Sequence, residues 1–192
     1  MMNLIEYIQM IDTAAMMQIY LAGGNSFLDF AAVLLSYLGT FRAGAILLAI
    51  IFALKKETRP LIFILAVALL ASSGTTGIIK DIVARPRPYV ELGLGAADIL
   101  IQVRPYVSFP SGHTATAFTT AAVAAYYFRK WAVPLFLAAC IAGLARIYLL
   151  VHYPSDVIAG AAIGIAVAAI VIYVFERERR RAREDDHFEE NG

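Results

Sequence analysis

Three short segments of this chain carry polar groups that a lipid-embedded protein keeps only under need. They are Lys80 with Arg87-Pro88 after six intervening residues, then Pro110-Ser111-Gly112-His113, then Arg146 with His152 and Asp156. Each lies where a strongly apolar stretch begins or ends. Together they gather three cations, two imidazoles and one carboxylate, a set suited to holding a phosphate and breaking its ester bond. Arginine offers a planar fork of donors that matches two phosphate oxygens, and lysine adds a point charge. Pro86 and Pro88 stop the preceding helix and restrict the backbone around Arg87.

Pro110-Ser111-Gly112-His113 opens an apolar run and so predicts a helix N-terminus, whose free N–H groups and positive dipole end attract anions. Gly112 lets an oxygen approach the backbone closely, the Ser111 hydroxyl adds a donor, and His113 faces the same anion. Arg146 and His152 are costly in hydrocarbon and face a polar cavity in such settings. Asp156 stands four residues beyond His152 with Pro154 between them, so one continuous helix face is not assumed. A carboxylate that near in sequence can hold one ring nitrogen and leave the other free to act, as the orienting member of a nucleophile–base–orienter triad does. Each segment taken alone has a plainer reading: a snorkelling lysine, a helix cap, an ion pair tying span ends together.

The elements that position these groups are apolar helices. Hydrophobic residues make up 60% of the chain and charged residues 16%, with a mean hydropathy of +0.71; a soluble domain runs at about 45–50% apolar and about 25% charged. The apolar runs are about 20 residues each, the span of a bilayer core. The fold class is therefore all-α, a polytopic transmembrane helical bundle with five spans at 29–53, 60–80, 113–128, 132–151 and 156–175. The N-terminal segment Leu4–Leu21 is apolar but interrupted by Glu6, Gln9, Asp12 and Gln18. It either crosses as a sixth span or lies on the surface as an amphipathic helix. It lacks the charged start of a cleaved signal peptide.

Residues 1–175 read as one membrane-embedded domain and 176–192 as a charged cytoplasmic tail. Lys55, Lys56 and Arg59, then Arg129 and Lys130, then Arg177, Arg179, Arg180, Arg181 and Arg183 all thread to one side, which the positive-inside rule makes cytoplasmic. Segments 81–112 and 152–156 then share the extracytoplasmic face, where Arg85, Arg87 and Arg104 form an excess of arginine against the rule. Gly160 and Gly164, one turn apart, permit close helix packing inside the bundle or a homodimer contact. The net charge of +1 and the lack of interleaved basic and aromatic residues point to no nucleic-acid partner.

In this order and spacing the segments resemble the signature of the type 2 phosphatidate phosphatase superfamily of membrane lipid phosphatases: Lys-x6-Arg-Pro, Pro-Ser-Gly-His and Ser-Arg-x5-His-x3-Asp. They stand here as KDIVARPRP over 80–88, PSGH over 110–113 and ARIYLLVHYPSD over 145–156, with Ala145 in place of the family serine. The resemblance implies that His152 attacks phosphorus to form a phospho-histidine, that Asp156 orients it, and that His113 protonates the leaving oxygen. It further implies that Lys80, Arg87, Ser111, Gly112 and Arg146 hold the phosphate oxygens, with no metal or other cofactor. One carboxylate near two histidines, with no clustered acidic ligands, agrees with that.

The substrate class implied is a membrane lipid phosphate, with phosphatidic acid, phosphatidylglycerol phosphate and undecaprenyl diphosphate all open and short family members favouring the last. The superfamily's vanadate-dependent haloperoxidases are soluble, unlike this chain. A non-hydrolytic lipid or anion transporter would use the same cations, but it needs no second histidine.

Overall fold

Small residues set the centre of the bundle. The structure, a computed structural model, describes residues 3–38, 46, 59–95, 99–101, 103, 104 and 106–190. Among these every regular element is helical: α1 (Leu4–Leu21), α2 (Ser26–Leu38), α3 (Arg59–Val83), the single turn α4 (Pro88–Glu91), α5 (Gly112–Tyr127), α6 (Ala132–Tyr148) and α7 (Pro154–Glu190), with a 3-10 turn at Arg129–Trp131. Helix α5 is central and packs against α7, α6 and α3. It buries Ala115, Ala117, Ala121, Ala124 and Ala125 with Thr114, Thr116 and Thr119. Gly160 and Gly164 of α7 face it so closely that an added Cβ would strike the carbonyl oxygens of Ser111 and Ala115. The two glycines are thus used in packing within the chain.

Polarity runs opposite to that of a soluble protein. Ser72, Thr76, Thr116 and Thr119 are buried, whereas Phe63, Leu70, Ile78, Ile158, Ile165 and Ile170 are exposed. Stretches long and apolar enough to cross a membrane occur at Leu61–Glu91, Arg129–Tyr148 and Pro154–Asp185. Only 17% of the apolar window of the last is buried in the protein, so most of that surface has lipid as its natural solvent. Helix α5 is shorter, at 16 residues, and its neighbours cover it. The expected span at 29–53 is described only to Leu38 and at Ile46; its remainder lies outside the described residues, as do Lys55 and Lys56. The last helix also runs on beyond the expected limit at 175, through the charged segment to Glu190.

Helix α1 begins with a reciprocal capping box: Glu6 N–H donates to Asn3 Oδ1 and Asn3 N–H to Glu6 Oε2, both at 2.9 Å. Along its length Gln9 reaches Glu91 at 2.8 Å, Asp12 accepts from Ser155 N–H at 2.9 Å, and Tyr20 meets the Tyr148 ring at 6.3 Å. All three partners sit at the end of the bundle that carries the chemistry-bearing segments. At the opposite end, Tyr126 shares a groove with Arg177, Arg180 and Arg181, beside the Arg129–Trp131 turn. Two of the three basic groups therefore gather away from the site.

Candidate active site

Two helix endings deliver the reactive groups. Helix α6 closes with Leu150 N–H bonded to Ile147 O at 2.9 Å and Val151 N–H to Arg146 O at 3.3 Å. That is a Schellman arrangement, with Leu150 left-handed at φ 56° where glycine is usual. It turns the chain so that Val151 and His152 point back into the bundle. Helix α3 also ends on a left-handed residue, Ala84 at φ 46°, with the Ala84 N–H on Lys80 O at 2.9 Å; beyond it Arg85 and Arg87 turn to different surroundings. On the opposite flank Ser111 caps α5, its Oγ accepting from Thr114 N–H at 3.3 Å and from the Thr114 hydroxyl at 2.8 Å. The Ser111 N–H donates to Asp156 O at 2.9 Å, which joins the second segment to the third.

His152 is 1% exposed and Asp156 wholly buried. The imidazole Nδ1 lies 3.4 Å from Asp156 Oδ2, and Arg87 Nη1 lies 3.2 Å from Nε2. A carboxylate accepts and a guanidinium donates, so the proton belongs on Nδ1 and the lone pair on Nε2. Burial first, then the charges of Arg87, Arg146 and Lys80 and the neighbouring His113, hold the His152 pKa well below the ordinary histidine range. The ring is therefore neutral at pH 7, the form in which a lone pair can attack an electrophile.

The cations converge with neutral partners. Lys80 Nζ donates to Val107 O at 2.8 Å and Ser108 O at 3.2 Å. Arg87 donates to the carbonyls of Arg104 at 2.5 Å, Val151 at 2.6 Å and Val107 at 3.3 Å. Arg146, 2% exposed, donates from Nη1 to the Ser36 hydroxyl, while its Nε and Nη2 have no partner among the described residues. None of the three has a carboxylate within 4.0 Å there. Arg146 and His113 line one cavity of about 360 Å³, closed by Val33, Ser36 and Tyr37 of α2 and by Leu100, Ile101 and Val103 of the linker after α4. Gly112, the first residue of α5, faces the Lys80 stem and the Thr76 hydroxyl.

All eight residues singled out in the sequence thus fall in one region. The pairings His152–Asp156 and Arg87–His152 are direct, and Arg146 shares its cavity with His113. Ser111 acts through its oxygen as the α5 cap. Ala145, where the family has serine, packs into an apolar cluster with Leu149 and Val151. Sequence reasoning missed Ser36, Asp12 and Ser155, and it counted Arg85 only as part of an arginine excess. Arg85 in fact binds Asp156 Oδ1 at 2.7 Å and Asp12 Oδ2 at 2.8 Å. The signals were visible as polar interruptions in apolar helices, but their partners lie far away in sequence.

Residues 61–180 match the PAP2 superfamily, and with this fold and this set of side chains the chain belongs to that superfamily. Decaprenylphosphoryl-5-phosphoribose phosphatase of Mycobacterium tuberculosis is 35% identical over 136 residues, 70% of this chain and 73% of that protein. Lipid A 1-phosphatase of Rhizobium etli is 36% identical over 81 residues, 42% of this chain. That match covers 35% of the phosphatase, so the chain spans about a third of the relative's length there. The crystal structure of LpxE from Aquifex aeolicus superposes with a TM-score of 0.74 at 30% identity, covering 85% of this chain and 95% of that one.

Proposed function

We propose that this protein is a metal-independent membrane phosphatase that hydrolyses the headgroup phosphate or diphosphate of a lipid through a phospho-histidine intermediate. One observation carries the reading: Lys80, Arg87 and Arg146 are drawn together with only carbonyl, hydroxyl and imidazole partners among the described residues. Uncompensated buried charge costs several kcal/mol per ion, on the order of what an anionic ligand returns. A phosphate supplies the missing charge and the acceptors for the open donors of Arg146.

In this reading His152 Nε2 attacks phosphorus as the bond to the leaving oxygen breaks, and His113 gives that oxygen its proton. The cations take up charge on the equatorial oxygens. Water then attacks the phospho-histidine, His113 removes its proton, and phosphate leaves with the ring restored. Asp156 keeps Nδ1 protonated and stabilises the charge that the imidazole gains.

In this reading the site faces the extracytoplasmic membrane boundary, with α1 laid across that end of the bundle through Gln9 and Asp12. Polyprenyl phosphates or diphosphates are the favoured substrates, since a relative similar along most of its length is named for a decaprenyl-linked one. The test is phosphate release from a panel of phosphatidic acid, phosphatidylglycerol phosphate and polyprenyl mono- and diphosphates in detergent, with and without EDTA. Turnover should survive the chelator, vanish in His152→Ala and leave an acid-labile, base-stable phosphate on the quenched wild-type protein. Activity that needs added magnesium, or that persists in His152→Ala, would sink the mechanism.

A further inference from the structure

We infer that Arg85, held by Asp12 of α1, is a positioning residue that fixes the Asp156 carboxylate behind the His152 ring; the inference rests on His152 being the nucleophile. The Arg85 guanidinium bridges two carboxylates. Its Nη1 donates to Asp156 Oδ1 at 2.7 Å and to the Ser155 hydroxyl at 2.8 Å. Its Nη2 donates to Asp12 Oδ2 at 2.8 Å and to Gln9 Oε1, and its plane lies 4.0 Å over the Tyr153 ring. Asp12, 3% exposed, is fixed in turn: Oδ1 accepts from Ser155 N–H at 2.9 Å and Oδ2 from the Ser155 hydroxyl.

The consequence for Asp156 follows from counting its acceptors. Oδ1 is taken by Arg85, so the carboxylate cannot rotate without breaking a charged bond. Oδ2 is left for Tyr153 N–H at 2.9 Å and His152 Nδ1 at 3.4 Å. Arg85 does not belong with the phosphate-binding cations. It lies behind Asp156, in a groove with Gln9, Glu91 and Ser155, and not among the residues of the His113–Arg146 cavity. Its charge is matched by two carboxylates, whereas Lys80, Arg87 and Arg146 have none within salt-bridge distance among the described residues. Helix α1 is by this account a working part of the site, since it supplies the second carboxylate.

The experiment measures kcat and KM separately for wild type, Arg85→Ala, Arg85→Gln and Asp12→Asn in detergent, using whichever panel lipid the wild type hydrolyses. Loss of the outer partner that orients a metal-bound histidine costs about 10–100-fold, and a comparable loss is expected for the partner that orients Asp156. Arg85→Ala and Arg85→Gln should lose that in kcat, with KM within about threefold of wild type, because the phosphate contacts stay intact. Asp12→Asn should lose less than either Arg85 variant, because Arg85 keeps its own bond to Asp156. Methylguanidinium added to Arg85→Ala should restore part of kcat through the open groove and do nothing for His152→Ala. Should Arg85→Ala fail to fold, Arg85→Gln and Asp12→Asn carry the test. Wild-type kcat in a folded Arg85 variant, or a loss confined to KM, overturns the inference while the phosphatase reading stands. A wild type silent on every lipid overturns that reading and this one with it.

Discussion

Arg146→Met separates substrate binding from folding more sharply than any other single change. A guanidinium has five N–H donors. In Arg146 one nitrogen, Nη1, reaches the Ser36 hydroxyl, while Nε and Nη2 are buried and unpartnered among the described residues. If a phosphate takes both, at about 1.5–3 kcal/mol for each charge-assisted bond, their loss removes about 3–6 kcal/mol. At about 1.4 kcal/mol per tenfold, kcat/KM should fall by about 10²–10⁴. Stability should move the other way. The ligand-free protein carries this charge with no carboxylate partner described, and an apolar side chain in place of a buried charge is often neutral or stabilising by about 1–4 kcal/mol.

The assay is phosphate release for activity and the thermal midpoint in detergent for stability, each with and without vanadate, whose trigonal-bipyramidal adduct resembles the transition state. Vanadate should raise the midpoint of wild type and leave that of Arg146→Met nearly unmoved. A variant with near wild-type kcat/KM would refute this role for Arg146, as would one whose midpoint falls well below wild type while vanadate still stabilises it. The second result would make Arg146 a structural residue.

Three further outcomes are expected. Gly164→Ala should lower the thermal midpoint by the equivalent of about 1–3 kcal/mol, because its Cβ would meet Ala115 O, Thr119 N and Phe118 Cβ; an unchanged midpoint would show that α5 and α7 have room to separate. His152, buried and held neutral with its pKa below the ordinary value, should stabilise the fold fully above about pH 6.5. That contribution should be lost at up to about 1.4 kcal/mol per pH unit below it, a slope visible in midpoints measured from pH 7.5 to 5 and reduced in His152→Asn. A cysteine placed at Leu100 should react with an impermeant reagent outside intact cells, and one at Arg180 only after lysis; the reverse pattern would put the site in the cytoplasm.

How much of this was legible in the sequence depends on the cost of polarity in lipid. Lys80, Arg87, Arg146, His113, His152 and Asp156 stood out because each sits against apolar residues where a charge or imidazole is expensive. The helices followed from run length, and where both ends are described they moved by a few residues at most, except where α7 continues to Glu190; the far end of the 29–53 span lies outside the described residues. Partners were not legible. Ser155 meets Asp12 across 143 positions and Arg146 meets Ser36 across 110, and no local period encodes such distances. Spacing singled out Arg87 through Lys-x6-Arg-Pro but gave Arg85 no partner; where Arg85 turns is set by the backbone after α3, where Ala84 takes a left-handed conformation.

The two arginines show why a count of charges is a weaker guide than their partners. Arg85 and Arg87 share one Pro-flanked turn and the same chemistry, yet Arg85 is neutralised by Asp12 and Asp156 at 2.8 and 2.7 Å. Arg87 is surrounded by carbonyl oxygens and the lone-pair nitrogen of His152. A cation balanced inside the fold has nothing left to offer a ligand, so its role is to hold what it touches. A buried cation with only neutral partners destabilises the ligand-free protein and gains most from an arriving anion. On the proposed function, that distinction puts Lys80, Arg87 and Arg146 on the substrate side of His152 and Arg85 on the scaffold side. The imidazole stands between them, with Nε2 toward the unbalanced charges and Nδ1 toward the balanced set.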